Sequence, residues 1–568
     1  MDKHQARQLD EIRAERTELE NHYIDELVAG RLDRRQFLRR GSMIGMSTTV
    51  LGTILAACGS SSSSSSSASA AGSSTTSGPA PTAGGTLNVA SVTPSAAVNP
   101  LTVADAGGLC MLNQTGEFLI FDSNLKLALQ PMLALSWGHN GDGSVWTFKL
   151  RPGVKFSTGA PMTADDVVYT FKQLSDPKNA SNALSNFNNV LTPDGVKKID
   201  STTVQFTLES PNGNFPYLVS SDNYNAIIVP NGTDFGSWQK TFVGTGAFKL
   251  QSYTQNVGAS FVPNPNYWGK KPLLSGTSFK FYASQQPMIL ALQGSSVDVI
   301  AQFTPAGATA ILHSPSYKII QLKSANHREL SMRNDMPPFN NAQVRQAVAY
   351  SLDRKGMVNA LLSGFGSVAN DTPFGPRYPS SNLTLPQREQ DISKAKALLK
   401  AGGHPNGVSA PLFTEIYQEI PQLAQVIKAD AAKAGINFDL KIESQTLYYG
   451  KATYGNSDWL DGTASLVDYG DRGAPNVYLE APLTSTGPWN AAHFKNSEYD
   501  KLVKQYVAAL DLTTQKQIAT KIETLLLNET PIVIPYWIDG LTASTPSVGG
   551  LNPTSIAQLY LNQAFKSA

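Results

Sequence analysis

The side chains best suited to chemistry are scattered along this chain. Five of the seven histidines, His139, His313, His327, His404 and His493, are far apart in the body, and His4 and His22 stand near its start. A metal site draws on three or four such ligands, so unless three converge in the fold the spacing predicts surface or satisfied core histidines and no metal. Catalytic signatures are absent: there is no Gly-x-Ser-x-Gly, no His-Glu-x-x-His and no phosphate-cradling Gly-x-x-x-x-Gly-Lys-Ser/Thr. Gly244-Thr245-Gly246 lacks the third glycine of a dinucleotide loop. Gly141-Asp142-Gly143 lacks the later ligands of a calcium loop and reads as a turn. Asp165-Asp166 reads as helix capping. The motifs therefore predict no catalytic residue, no cofactor and no enzyme.

Two cysteines, Cys58 and Cys110, exclude a disulfide scaffold. Cys58 ends Leu55-Ala56-Ala57-Cys58, which resembles a lipobox, in which small residues admit a signal peptidase before an acylated cysteine. Upstream, Arg34-Arg35-Gln36-Phe37-Leu38 precedes an apolar run from Met43 to Leu55. The run is shorter than the roughly 20 residues of a membrane span. The arrangement resembles a twin-arginine export signal, with Arg34 and Arg35 as its recognised pair and Cys58 as the lipidation site. The first 57 residues then form a signal peptide with a long lead. Residues 58–84, with a serine run from Ser60 to Ser67, form a flexible tether, because such composition buries no apolar area.

The body is globular by composition. Of 568 residues, 41% are hydrophobic and 16% charged, and 45 basic against 44 acidic residues leave +1. That balance gives no footprint for nucleic acid. Short strand patterns alternate with helical stripes: strands over 86–90 and 146–150, a capping box at Thr163 before Val167, Val168, Phe171 and Leu174. A strand, helix and strand over 279–300 argue for an α/β sheet. Helical stripes recur at Val344 to Leu352, at Ile392 to Leu399 with Gly402 as the stop, and at Ile518 to Leu526. Pro531 ends the last, and Ile532 to Tyr536 returns to strand.

Longer segments carry a family resemblance. Pro131 to Trp137, Trp146 to Phe156, Gly159 to Val167, Val243 to Phe248, Asn264 to Trp268, Val344 to Val348 with Ser351 to Arg354, and Glu498 to Leu502 occur in one order. Together they resemble the peptide/nickel-type ABC-transporter solute-binding proteins, extracellular solute-binding protein family 5. The resemblance implies a two-lobed α/β fold of the type II periplasmic-binding-protein class, large peptide-binding subclass, with a hinge and an inserted subdomain near 123–205. One lobe would comprise 85–326 plus 533–568 and the other 327–532, with the hinge near Asn326 to Asn334 and Pro531 to Tyr536. It further implies a monomer anchored by lipid at the outer face of the cytoplasmic membrane. Such a protein captures an oligopeptide or other amine-bearing solute and delivers it to an ABC permease.

By the same resemblance, Asp468 in Val467-Asp468-Tyr469 supplies the carboxylate for a ligand ammonium, and Tyr469, Glu117, Trp489 and Asn490 are further ligand-facing candidates. The segment departs from the family at Ser465, where an aromatic is common, and at Gly470-Asp471-Arg472-Gly473, where Asp-Pro is usual. An ion pair of Arg472 with Asp468 or Asp471 is the competing structural use of these charges. A secreted hydrolase without a recognisable motif and a structural envelope protein are the alternative functions.

Overall fold

The computed structural model describes residues 81–122 and 128–567, together with Ile24, Leu27, Val28 and Ile54. The expected export arginines Arg34 and Arg35, the expected lipidation site Cys58 and most of the tether lie outside the described residues. Among the described residues, two seven-stranded sheets dominate. In the first, Thr86–Val92 runs parallel to both Gly276–Tyr282 and Val299–Phe303, and antiparallel strands extend both edges. Leu87 and Val89 enter one apolar core while Ala90 enters another. Burial on both faces is what a parallel strand covered by helices requires.

The second sheet is centred on His327–Met332, buried along its whole length between Ala464–Tyr469 and the pair Ile532–Val533 and Tyr536–Ile538. Val408–Glu415 runs parallel to Ala464–Tyr469 and Ile436–Glu443. A separate four-stranded antiparallel sheet, built from Ala134–His139, Val145–Leu150, Thr203–Thr207 and Val196–Asp200, carries the helix Ala164–Ser175. The capping box forms: Thr163 Oγ1 accepts from the Asp165 amide, and Asp166 returns a carboxylate to the Thr163 amide at 2.7 Å. Val167 and Phe171 are thereby turned into the core, and Phe171 meets Phe206 edge-on at 5.0 Å. Asp142 accepts from the amide and hydroxyl of Ser144, a turn rather than part of a cation loop.

The chain passes between the two large sheets at Lys323–Asn326 and again at Asp539. The first crossing meets the expected hinge segment only at Asn326 and the second lies past Tyr536, because His327–Met332 and Tyr536–Ile538 are locked into the second sheet by their ladders. The crossings are tied to each other. Lys323 Nζ contacts Asp539 Oδ2 at 2.8 Å, Ser324 Oγ donates to the Ile538 carbonyl, and the Ile538 amide donates to the Asn326 carbonyl.

Candidate functional site

A cavity of about 820 Å³ opens between the two large sheets, within the size range of small-molecule sites. The parallel strands that reach it do so from their carboxyl ends. Val92, Gln302 and Phe303 come from the first sheet, and Asp468 and the turn after Glu415, with Tyr417 and Gln418, from the second. Carboxyl ends of parallel strands are the ordinary ligand position in open α/β sheets. The cavity wall also takes Ser284 to Gln286 at the start of the helix Gln285–Gln293, and Ser555 to Ala557 near the C-terminus.

Asp468 owes its position to strand alternation. Ala464 and Leu466, on the same face of its strand, enter the core of the second lobe, and Asp468 emerges where that core ends. Arg328 stands opposite it in register. That guanidinium is engaged elsewhere: Nε meets Glu419 Oε1 at 2.8 Å, Nη2 meets Glu419 Oε2 at 3.2 Å, and Nη2 also donates to Gln418 at 2.7 Å. Asp468 is in no ion pair among the described residues; its Oδ1 accepts from the Tyr449 hydroxyl at 3.1 Å. The same hydroxyl lies 2.8 Å from Glu415 Oε1. A phenol has one proton to give, so Glu415 and Asp468 share it. Burial, with a contribution from the Asp468 charge, pushes Glu415 up to about 7. Near neutrality this wall carries more negative than positive charge, a field suited to a cation.

Past the strand, Asp471 lines the cavity but its oxygens are committed. Oδ1 accepts from the Ala325 amide at 2.7 Å, and Oδ2 pairs with Arg377. Arg377 also pairs with Asp122 at 3.0 Å and Asp222 at 3.1 Å, both from the other side of the cleft. All four side chains are buried. The anticipated pairing of Arg472 with Asp468 or Asp471 does not form: Arg472 Nη1 donates to the Asp471 main-chain carbonyl at 3.0 Å, and its guanidinium lines the cavity.

The profile of the bacterial extracellular solute-binding proteins, family 5, matches residues 128–490, more than half of the chain. The chain belongs to this family. Heme-binding protein A of Haemophilus influenzae is 27% identical over 74% of the chain and 81% of its own length. The nickel-binding periplasmic protein of Escherichia coli is 27% identical over 75% and 84%. In three dimensions this solute-binding protein resembles HbpA2 from Haemophilus parasuis, with a TM-score of 0.75, 23% identity, and coverage of 85% of the chain and 100% of that structure. The unliganded open form of the murein tripeptide binding protein MppA gives a TM-score of 0.72 at 22% identity, covering 86% and 98%. The fold is thus the two-lobed type II periplasmic-binding-protein fold.

The other residues expected to face ligand in this family 5 protein stand away from the cavity. Glu117 is buried 4% exposed, and its Oε2 accepts from Thr245 Oγ1 at 2.8 Å and Trp268 Nε1 at 2.7 Å. Arg151 stacks over the same Trp268 at 4.1 Å. Three of the recognised segments, around Arg151, Thr245 and Trp268, therefore converge on one carboxyl, which makes Glu117 a structural keystone instead of a rim residue. A Cβ on Gly244 would lie 2.1 Å from the Thr115 carbonyl, so glycine is needed for this approach. Burial outweighs those donors and pushes Glu117 up to about 7.

Tyr469, one residue past Asp468, points to the opposite face and packs among His327, Tyr478 and Trp489. Trp489 stacks on Tyr469 at 6.3 Å, outside the cavity lining. Asn490 is a loop clamp: its Nδ2 donates to the Thr484 and Phe494 carbonyls, and its Oδ1 accepts from the Phe494 amide. Sequence reasoning missed Tyr417, Gln418 and Gln285. The carboxyl-end rule, applied to the turn after the 408–415 strand, would have found the first two.

Proposed function

We propose that this protein is the lipid-anchored substrate-binding component of an ABC importer, capturing an oligopeptide or another small amine-bearing solute between its lobes and handing it to the permease. The observation that carries this reading is Asp468, a carboxylate free of any ion pair among the described residues on the wall of an 820 Å³ cavity. A buried ammonium needs an anion and hydrogen bonds, or desolvation opposes binding. Asp468 supplies the anion, while the Tyr449 hydroxyl can turn its one proton between Glu415 and Asp468 as the charge arrives. Relatives named for dipeptide, heme and nickel binding support small-solute capture as the role.

The division into two lobes belongs to this reading, with the expected boundaries at 326/327 and 532/533 replaced by crossings at 323–326 and at 539, since Ile532–Val533 and Tyr536–Ile538 pair within the second sheet. Closure is favoured only by a solute that touches both lobes and so binds the closed state better. Catalysis on the solute is not required. Export through the Arg34-Arg35 signal and acylation of Cys58 would place the protein at the outer face of the cytoplasmic membrane. Replacing both arginines with lysine is expected to leave the protein in the cytoplasm on fractionation, and Cys58→Ala to abolish lipid labelling. The deciding experiment is mass spectrometry of solutes that co-purify with the mature protein, followed by calorimetry with the compound found. An amine-bearing compound bound saturably, without turnover, is the expected result; conversion of the compound would point to a hydrolase instead.

A further inference from the structure

Beside the first chain crossing the two lobes meet again through charged side chains. Asp122, at the end of the strand Ile120–Asp122, and Asp222 belong to the first lobe, whereas Arg377 and Asp471 belong to the second. Arg377 Nη2 donates to Asp122 Oδ2 at 3.0 Å and to Asp222 Oδ1 at 3.1 Å. Its Nη1 donates to Asp471 Oδ2 and, at 3.4 Å, to the Arg472 carbonyl. Asp471 in turn accepts from the amide of Ala325, a residue of the crossing, at 2.7 Å. All four side chains are shut off from solvent, the most open, Asp222, being 7% exposed.

The seam continues through neutral contacts: Asn214 Nδ2 donates to Asn476 Oδ1 at 2.9 Å, and the Gly213 amide to the Val507 carbonyl at 2.8 Å. At its charged end Gly473 packs so tightly on Asp222 that a Cβ would fall 2.2 Å from the carboxylate. Asp122 and Asp222 are themselves in hydrogen-bond contact. Two carboxylates offer only acceptors, so this contact requires a proton. Burial and the Asp122 charge hold Asp222 well above the usual carboxylate range. From the second lobe the pair is faced by Arg377, Asp471 and Arg472, and Arg472 gives its Nη1 to a main-chain carbonyl. From the first lobe it is faced by Tyr217 and Tyr560, phenols whose ionisation burial pushes out of reach. Among the described residues Arg377 is thus the one cation at ion-pair distance from these three carboxyls.

We propose that this seam is a proton-linked joint between the lobes: Asp122 and Asp222 share one proton while the lobes are joined, and its release to solvent leaves three buried carboxylates against one guanidinium and favours separation. Once the seam opens, water solvates each carboxylate of the first lobe, so the joined state binds the proton more tightly than the separated one. By linkage the joint holds at low pH and weakens as pH rises through the joined-state value. The joint acts on the empty protein, whichever solute the cleft takes, and sets how readily the lobes part.

The test uses the mature protein without solute, carrying Cys58→Ala in place of the lipidated cysteine and spin labels at Val257→Cys in the first lobe and Leu447→Cys in the second. Both label positions are more than half exposed. Cys110 is buried, its thiol pushed up to about 12, and stays unlabelled. Pulsed electron resonance at constant ionic strength is expected to show the ratio of separated to joined lobes rising at least about threefold between about pH 6 and about pH 9, within the limit of about tenfold per pH unit set by one proton. Asp222→Asn, whose amide keeps a donor toward Asp122 with no proton to lose, is expected to hold the ratio flat. Infrared difference spectra against this variant at about pH 7 are expected to show a protonated carboxyl that the variant lacks. A constant ratio in the protein with Asp222 intact overturns the joint, and so does a pH response retained in Asp222→Asn or the absence of the carboxyl band. Should Asp222→Asn fail to fold, Asp122→Asn breaks the same pair from its other member and gives the deciding comparison. Solute affinity enters none of these readings, so their failure leaves solute capture untouched.

Discussion

Arg377 and Arg472 meet at one carbonyl, yet they live in opposite electrostatic circumstances. Arg377 has three carboxylates around it, Asp122, Asp222 and Asp471, drawn from both sides of the cleft. Arg472 has none within ion-pair distance among the described residues and faces an 820 Å³ cavity. Burial, with the neighbouring Asp122 charge, holds Asp222 well above the usual carboxylate range, which favours a proton on it and eases the crowding of three carboxyls around one cation. The contrast teaches how an arginine is assigned to structure or to recognition: by whether the fold has already supplied its anions. A guanidinium surrounded by buried carboxylates fixes geometry, and one left open to a cleft can select a ligand.

The largest effect is expected where the crowded side is broken. Arg377→Met removes the cation from Asp222 and Asp471 and should cost about 3–5 kcal/mol of unfolding free energy, read by denaturant titration. On the open side, Asp468→Asn should leave the melting curve of the empty protein nearly unchanged. It should weaken an amine-bearing solute by about 2–5 kcal/mol in calorimetry. If instead Asp468→Asn were as destabilising as Arg377→Met, the distinction between the two regions would be lost.

A third measurement reads one buried carboxyl of the fold through pH. Glu117 has a folded pKa of about 7 against an ordinary value of 4.5. The folded state therefore keeps a proton that the unfolded state releases, and stability falls as pH rises from about 4.5 to about 7, then levels. Glu117→Gln, which preserves an acceptor for Thr245 and Trp268, should remove that slope, on the order of 3 kcal/mol, from melting curves recorded between pH 5 and 8. Gly473→Ala, whose Cβ would strike Asp222 across the cleft, should destabilise by about 1–3 kcal/mol. The smallest effect is expected of Tyr449→Phe. Loss of the hydroxyl shared by Glu415 and Asp468 should cost about 1 kcal/mol in solute affinity by calorimetry.

Much of the fold was legible from pattern. Strand alternation around Trp146 and the capping box at Thr163 are local signals, written within a few residues of the structure they produce. Of the residues expected to face ligand, Asp468 alone lines the cavity. Glu117 carried the same chemical promise in sequence, but three donors and partners more than 30 residues distant consume it. The segments expected to form the hinge run on into the second sheet for a related reason. Residues 326–334 and 531–536 read as the crossing segments, and only the ladders of the second sheet show that the chain crosses at 323–326 and at 539.

By itself the sequence determined an α/β body with alternating strands and helices and the colinear segments of a family. Periodicity, caps and turns act over a few residues and need no partner from afar. Tertiary structure decided which charges are spent and which face the cleft. Arg377 and Asp122 are 255 positions apart, and a charge is neutralised by whatever folding brings within a few ångströms of it.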